Sequence, residues 1–316
     1  IKNIFIIHKR GDTMPAYLTH AIMGNTIYNN AHKDESLFKI DIPLPALKAS
    51  TLSPDLAKLS KSDFNSHNKD TDLYFFNMIE YIKENKLYND LDVMSLLYSN
   101  ISHYFLDVYT HPLIYYISEN CVSLNKLSPH VLTEGYISSY MSEKEQHTDY
   151  MNLKSNYIGS LNFANPNLKN LIRETYAKTY NDLSAVRSYE ITLQLIKLGE
   201  RLTKENKFTS KEKLIRLSKF REYLEINNLT KEDLTNEQKE VWTNPVTNEK
   251  HNESLMELYN KALTKTYEAI YHVNKYLYDN ESIDILYKIF TNLSYDTGVS
   301  CSLGKNLIYV KKKSIK

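Results

Sequence analysis

The chain has 316 residues, a formal net charge of +1 and 24% charged residues. That length allows one large domain or two smaller ones with a sizeable core, and the near-zero charge supplies no global field to draw in nucleic acid or an anionic membrane. Glycine is scarce: only 7 are present, Gly11, Gly24, Gly135, Gly159, Gly199, Gly298 and Gly304. Their spacing builds neither a P-loop nor a dinucleotide fingerprint, which need clustered glycines. With 8 prolines, an all-β protein full of tight turns is also excluded, and long helices are favoured. Cys121 and Cys301 are too few and too far apart for a disulfide-built fold, so both are read as free thiols. No apolar run reaches the roughly 18 residues of a membrane span. The start lacks a secretory h-region, so a cytoplasmic location is expected. The first methionine is Met14, and residues 1–13 are read as an upstream extension.

In chain order, residues 16–29 read as a helix with Leu18, Ile22 and Ile27 on its apolar side. Phe38 to Ala49 alternates and contains Pro43 and Pro45, so it is expected to be extended or looped. Residues 59–72 are polar and read as a loop. Leu73 to Asn85 reads as a helix with Leu73, Phe76, Ile79 and Ile82 on one stripe. Leu91 to Ile117 is the longest apolar periodic stretch, and Pro112 predicts a kink or break at His111. Ser128-Pro129 is a helix start. Further helices are expected near 166–181, 184–205, 211–227, 253–278 and 281–293, with a linker-like segment at 228–250. The fold class is therefore all-α. The division is an upstream extension at 1–13, a core at 14–150 and a helical C-terminal region at 151–316.

The histidines carry the chemistry. His20, His67, His103, His111 and His130 each stand near an acidic residue or another member of the set. His103-x3-Asp107-x3-His111-Pro is followed by His130-x3-Glu134. Residues four apart share a helix face and start about 6 Å apart, so such pairs can converge on one metal ion. His103 and His111 would lie about 12 Å apart along one helix, too far for a single ion. Two ions with Asp107 between them suit the spacing better, with His130 and Glu134 supplied from the next helix. A set of His, Asp and Glu without Cys suits zinc or another first-row divalent metal.

The run SNISHYFLDVYTHPLIYYI, with His130-x3-Glu134 after it, resembles the zinc-dependent phospholipase C family, the phospholipase C/D-type domain. The opening Met14-Pro-Ala-Tyr-Leu-Thr-His20, the segment Pro43-Leu-Pro-Ala-Leu with Ser53-Pro54-Asp55, and His67 ahead of Tyr74-Phe75-Phe76 resemble its other ligand segments. The resemblance covers roughly residues 14 to 145. It implies an all-α bundle of the zinc-dependent phospholipase C and single-strand nuclease type, here with additional C-terminal helices. It further implies two or three zinc ions. Asp55, His67, His103 and Asp107 would surround one, His111, His130 and Glu134 a second, and His20 with bridging Asp107 a third. Secreted members place a terminal tryptophan on that third ion; the single tryptophan here is Trp242, so the third position departs from the family pattern.

The resemblance implies a metal-dependent phosphodiester hydrolase, with a phospholipid as the first expectation of substrate. Asp55 is the candidate to orient or deprotonate the attacking water, or to serve simply as a ligand. A nuclease on the same scaffold remains the enzyme alternative and alone would bring in nucleic acid. A non-catalytic helical protein with structural zinc is the other alternative. Peripheral membrane contact is an expectation, with Lys311 to Lys316 as a basic tail for it.

Overall fold

The computed structural model describes residues 15–31, 37–62, 65–124, 128–147, 157–205 and 221–312. The expected extension at 1–13, Met14, much of the helix expected at 211–227 and the last residues of the basic tail lie outside the described residues. What is described is an α-helical bundle. Its helices are α1 (Pro15–Ala31), α2 (Leu44–Ser50), α3 (Asn65–Asn68), α4 (Thr71–Glu84), α5 (Leu91–Ser118), α6 (Pro129–Gln146), α7 (Pro166–Tyr180), α8 (Ala185–Glu205), α9 (Lys231–Thr235), α10 (Leu255–Tyr278) and α11 (Asp284–Ile289). A 3-10 helix at Asp55–Leu59 follows α2. Two two-residue strands, β1 (Trp242–Thr243) and β2 (Lys250–His251), pair antiparallel.

Helix α5 is the axis of the bundle. Asp90 caps it by accepting from the Asp92 and Val93 amides, which satisfies orphan donors of the first turn. Its side chains are buried almost all round, from Val93 to Ser118, as expected for a helix walled in by others. Helix α10, started by a Ser254–Glu257 capping box, packs along α5, while α1 packs on α6 and α4 on α7. One hydrophobic core runs from Tyr17 through Phe75 and Leu97 to Ile270 and Tyr295, so N- and C-terminal segments bury the same apolar surface.

Four local expectations are corrected. Residues 44–50 are helical rather than extended, because Pro43 is the N-cap and Pro45 falls in the first turn, where no N–H is required. The polar stretch 59–72 is partly ordered by the 3-10 helix and α3. In α4, Phe76, Ile79 and Ile82 are buried but Leu73 is 48% exposed, since steps of three drift round a 3.6-residue helix. The linker-like 228–250 holds α9 and the β pair, with Trp242 buried and its Nε1–H given to the Glu253 carbonyl.

The expected break at His111 is also corrected: α5 runs through Pro112 without interruption. Pro112 has no N–H to give the Val108 carbonyl four residues back. Gly298, at φ +67°, lies against that turn; a Cβ there would stand 2.4 Å from the Val108 oxygen and 3.0 Å from Pro112 Cγ. The segment Thr291–Gly298 is thereby strapped across α5. Replacing Gly298 by Ala should cost about 1–3 kcal/mol, combining a disfavoured φ with backbone overlap. Urea unfolding measures this, and an unchanged midpoint would remove the close approach from the fold's requirements.

Candidate metal centre

Five elements converge at the C-terminal half of α5. Helix α1 brings His20, the 3-10 helix Asp55, α3 His67, α5 His103, Asp107 and His111, and α6 His130 and Glu134. All eight residues singled out in the sequence come together. They form three groups, in each of which the ligand atoms lie within 4.8 Å of one another: His20, Asp55 and His103; His67, His103 and Asp107, sharing His103 with the first; and, separately, His111, His130 and Glu134. Seven of them line one pocket of about 380 Å³, and His103 lies fully buried behind it.

Asp107 is the hub. Its Oδ1 is 3.2 Å from His20 Nε2 and 3.8 Å from His111 Nε2, and its Oδ2 is 2.9 Å from His103 Nε2. Glu134 Oε1 is shared in the same way, 3.3 Å from His111 Nε2 and 3.2 Å from His130 Nε2. Asp55 Oδ1 is 3.3 Å from His67 Nε2. The wall behind is apolar, with Leu106, Ile114, Ile137 and Met141 beside His20, Asp107, His111 and Glu134.

The charge states follow from this crowding. Burial alone would raise the Asp107 carboxyl, but His111, His103 and His20 hold it well below the usual carboxylate range. Burial likewise opposes ionisation of Asp55 and Glu134, and their neighbours outweigh it: Lys58 and His67 for Asp55, His130 and His111 for Glu134. Burial would lower His111, yet Asp107 and Glu134 raise it to about 10. His103 moves the other way, lowered by burial and by His20, whose ring stacks on it at 3.9 Å.

His103 supplies the test of fit for a metal. Its Nδ1 lies 2.8 Å from the Thr51 carbonyl oxygen, which can only accept, so Nδ1 carries the proton. In the neutral ring Nε2 is then a bare lone pair, and it faces the Asp107 carboxylate at 2.9 Å without a hydrogen bond. Two acceptors at that distance repel unless a cation lies between them. His111 Nδ1 similarly donates to the Tyr295 carbonyl at 3.0 Å, turning Nε2 towards Glu134 and Asp107. Backbone carbonyls behind both imidazoles set tautomer and orientation, the usual support of a metal ligand. The donor set of imidazole and carboxylate suits zinc.

Three residues that sequence reading missed, Tyr295, Asp296 and Lys58, belong to this site together with Tyr115. Tyr295, on the strap, accepts from His111 Nδ1 and gives its own amide to the His67 carbonyl. Asp296 lines the pocket; its Oδ2 accepts from Asn68 at 2.8 Å and pairs with Lys305 at 3.2 Å, and its Oδ1 accepts from the Tyr115 hydroxyl at 2.9 Å. Lys305 holds that carboxyl below its ordinary value against burial. Tyr115 stacks on His130 at 4.3 Å. Lys58 lines the pocket beside Asp55. Asp296 stands far along the chain from the motif, so no spacing could have marked it. Tyr115 can be read in the sequence as a pocket-lining tyrosine, but among 26 tyrosines packing is the favoured reading.

Comparison with known proteins bears on what this centre is. The family model for zinc dependent phospholipase C matches residues 19–190, more than half of the chain. No curated protein and no solved structure matches. The match takes in His20, Asp55, His67, His103, Asp107, His111, His130 and Glu134, and stops before the strap. The chain belongs to the zinc-dependent phospholipase C family.

Proposed function

We propose that this chain hydrolyses a phosphodiester bond of a phospholipid, in a zinc-dependent reaction of phospholipase C type. The observation that carries the reading is the His103 Nε2 aimed at Asp107 at 2.9 Å, amid three neighbouring groups of candidate ligands. One closed four-ligand set would serve a structural ion; eight ligand side chains around an open pocket suit a catalytic centre better. His67, His103, Asp55 and Asp107 form the first ligand set, and His111, His130 and Glu134 the second. His20, in reach of Asp107, belongs to a third position. Bound zinc would acidify water and draw charge from the phosphoryl oxygens.

The side chains do the rest. Asp107 fixes the spacing of the centre, because one buried carboxylate faces imidazoles from both sets. Asp55, beside Lys58 and His67, is placed to orient the attacking water by accepting its hydrogen. The apolar wall of Leu106, Ile114, Ile137 and Met141 lowers the local dielectric and strengthens each of these contacts. The nuclease reading finds less support. Before metal binding, four carboxylates and a single lysine line the pocket among the described residues, a poor match for a polyanion.

Zinc content is expected at two or three equivalents per chain by metal analysis, and at most one tightly held ion would overturn the multinuclear reading. Replacing Asp107 by Ala should lower phosphodiester hydrolysis by about 10²–10³-fold or more, with helix content by circular dichroism nearly unchanged. Full activity in that variant would end the bridging role. Phosphatidylcholine and single-stranded DNA, offered side by side, separate the lipase and nuclease readings, with cleavage expected for the lipid.

The pH dependence has a defined sign. In the metal-free protein His111 keeps its proton up to about 10, and a ligating nitrogen must lose it. Zinc binding at pH 7 should therefore release protons, and zinc affinity should climb as pH rises from about 6.5 towards about 10. Titration in a weakly buffered indicator dye checks this; binding without proton release would contradict it.

A further inference from the structure

Lys58 has a chemistry that the metal centre does not use. It is the single lysine among the described lining residues of the pocket, where Asp55, Asp107, Glu134 and Asp296 bring four carboxylates. It stands three residues after Asp55 on the same 3-10 helix. Side chains three apart on a 3-10 helix eclipse, so Asp55 and Lys58 leave one element in nearly the same direction. That element is anchored from α8: Leu59 N–H donates to Ser188 Oγ at 2.9 Å, and Ser188 Oγ donates to the Leu56 carbonyl at 2.8 Å.

The ammonium is placed between the Tyr17 side chain and the Asp55 carboxylate, without a close ion pair to the latter. Its Nζ stands 3.9 Å from Asp55 Oδ1, beyond the roughly 2.7–3.2 Å of an N–H···O hydrogen bond. The Tyr17 ring centre is 5.1 Å away, and the side chain keeps 32% of its surface open. The stem is thus covered while the head reaches the pocket. Lys305, at the same mouth, differs. Its Nζ donates to the Tyr115 hydroxyl at 2.6 Å and pairs with Asp296 at 3.2 Å, so its charge is already matched.

We propose that Lys58 is a substrate-binding residue whose ammonium takes a non-bridging oxygen of the substrate phosphate. The inference rests on the phosphodiester reading above. A phosphodiester shares one negative charge over two non-bridging oxygens, and a compact ammonium is suited to such a point contact. Lys58 sits beside the carboxylate assigned to the attacking water, so the same short helix positions both partners of the displacement. Once Asp55 serves a divalent cation, its hold on Lys58 weakens, and an entering phosphate becomes the nearest unmatched anion.

The test is calorimetric titration of the zinc-loaded full chain with inorganic phosphate, alongside phosphatidylcholine hydrolysis and zinc analysis. Lys58→Met should weaken phosphate binding by about tenfold or more and lower kcat/KM by about 10²-fold, with zinc content unchanged. Lys58→Arg, which keeps the charge, should bind phosphate within about threefold of the parent. Lys61→Met, on the exposed side of the same stretch, should match the parent. Phosphate binding at parental strength in a fully loaded Lys58→Met protein would overturn the proposal. So would loss of zinc in step with activity, which would mean that Lys58 acts only through Asp55. If Lys58→Met fails to fold, Lys58→Gln against Lys58→Arg repeats the comparison. A zinc-loaded parent that cleaves no lipid would sink the phospholipase reading, while the phosphate titration still decides Lys58.

Discussion

The buried Asp107 carboxylate is the constraint on which this structure turns. It carries a charge in a pocket backed by aliphatic side chains, with imidazole nitrogens from α1, α3 and α5 within reach. An unpaired buried charge is costly by several kcal/mol, so the surrounding helices must hold His20, His103 and His111 against it. They do so from outside the site. The Thr51 carbonyl turns His103, the Tyr295 carbonyl turns His111, and the His20 ring is stacked flat on His103. Each support leaves a ring nitrogen pointing inward, and at His103 it lies 2.9 Å from the Asp107 carboxylate.

The scaffold reflects the same demand. Helix α5 must present residues 103, 107 and 111 on one face over two turns, which a break at His111 would destroy. Pro112 removes one hydrogen bond from that helix, and the strap closes over the gap, with Gly298 against the Val108 carbonyl. The strap then reaches the site itself through Tyr295 and Asp296. Its attachment to α4 is tight: Thr71 gives its amide and hydroxyl to Asn292 and also bonds the Leu293 carbonyl. Residues beyond the family match therefore finish a centre whose candidate ligands all lie within it.

Much of this was legible in the sequence because a helix converts spacing into geometry. His103, Asp107 and His111 at steps of four, then His130 and Glu134 at another, specify two ligand faces without knowledge of how the helices meet. Glycine scarcity and the long apolar run gave the helical class by the same local physics. The errors were local too. Pro45 was read as a breaker although a first turn tolerates proline, and Pro112 as a kink or break although the helix runs on through it. Leu73 was placed on a stripe that its steps of three do not hold.

What the sequence alone determined is the helical class and five of the inward-facing side chains, His103, Asp107, His111, His130 and Glu134, since these follow from residue type and short-range spacing, while His20, Asp55 and His67 were marked by the family resemblance. What only the tertiary structure decided is which nitrogen of each imidazole faces inward, and which distant groups share the pocket. The His103 tautomer depends on Thr51, the His111 tautomer on Tyr295, and the pocket's fourth carboxylate is Asp296. Lys58 becomes meaningful only because a 3-10 turn aligns it with Asp55. These are contacts between segments separated by tens to hundreds of residues. No local periodicity encodes them; they arise when the helices bury a common core and bring their backbone carbonyls up behind the rings.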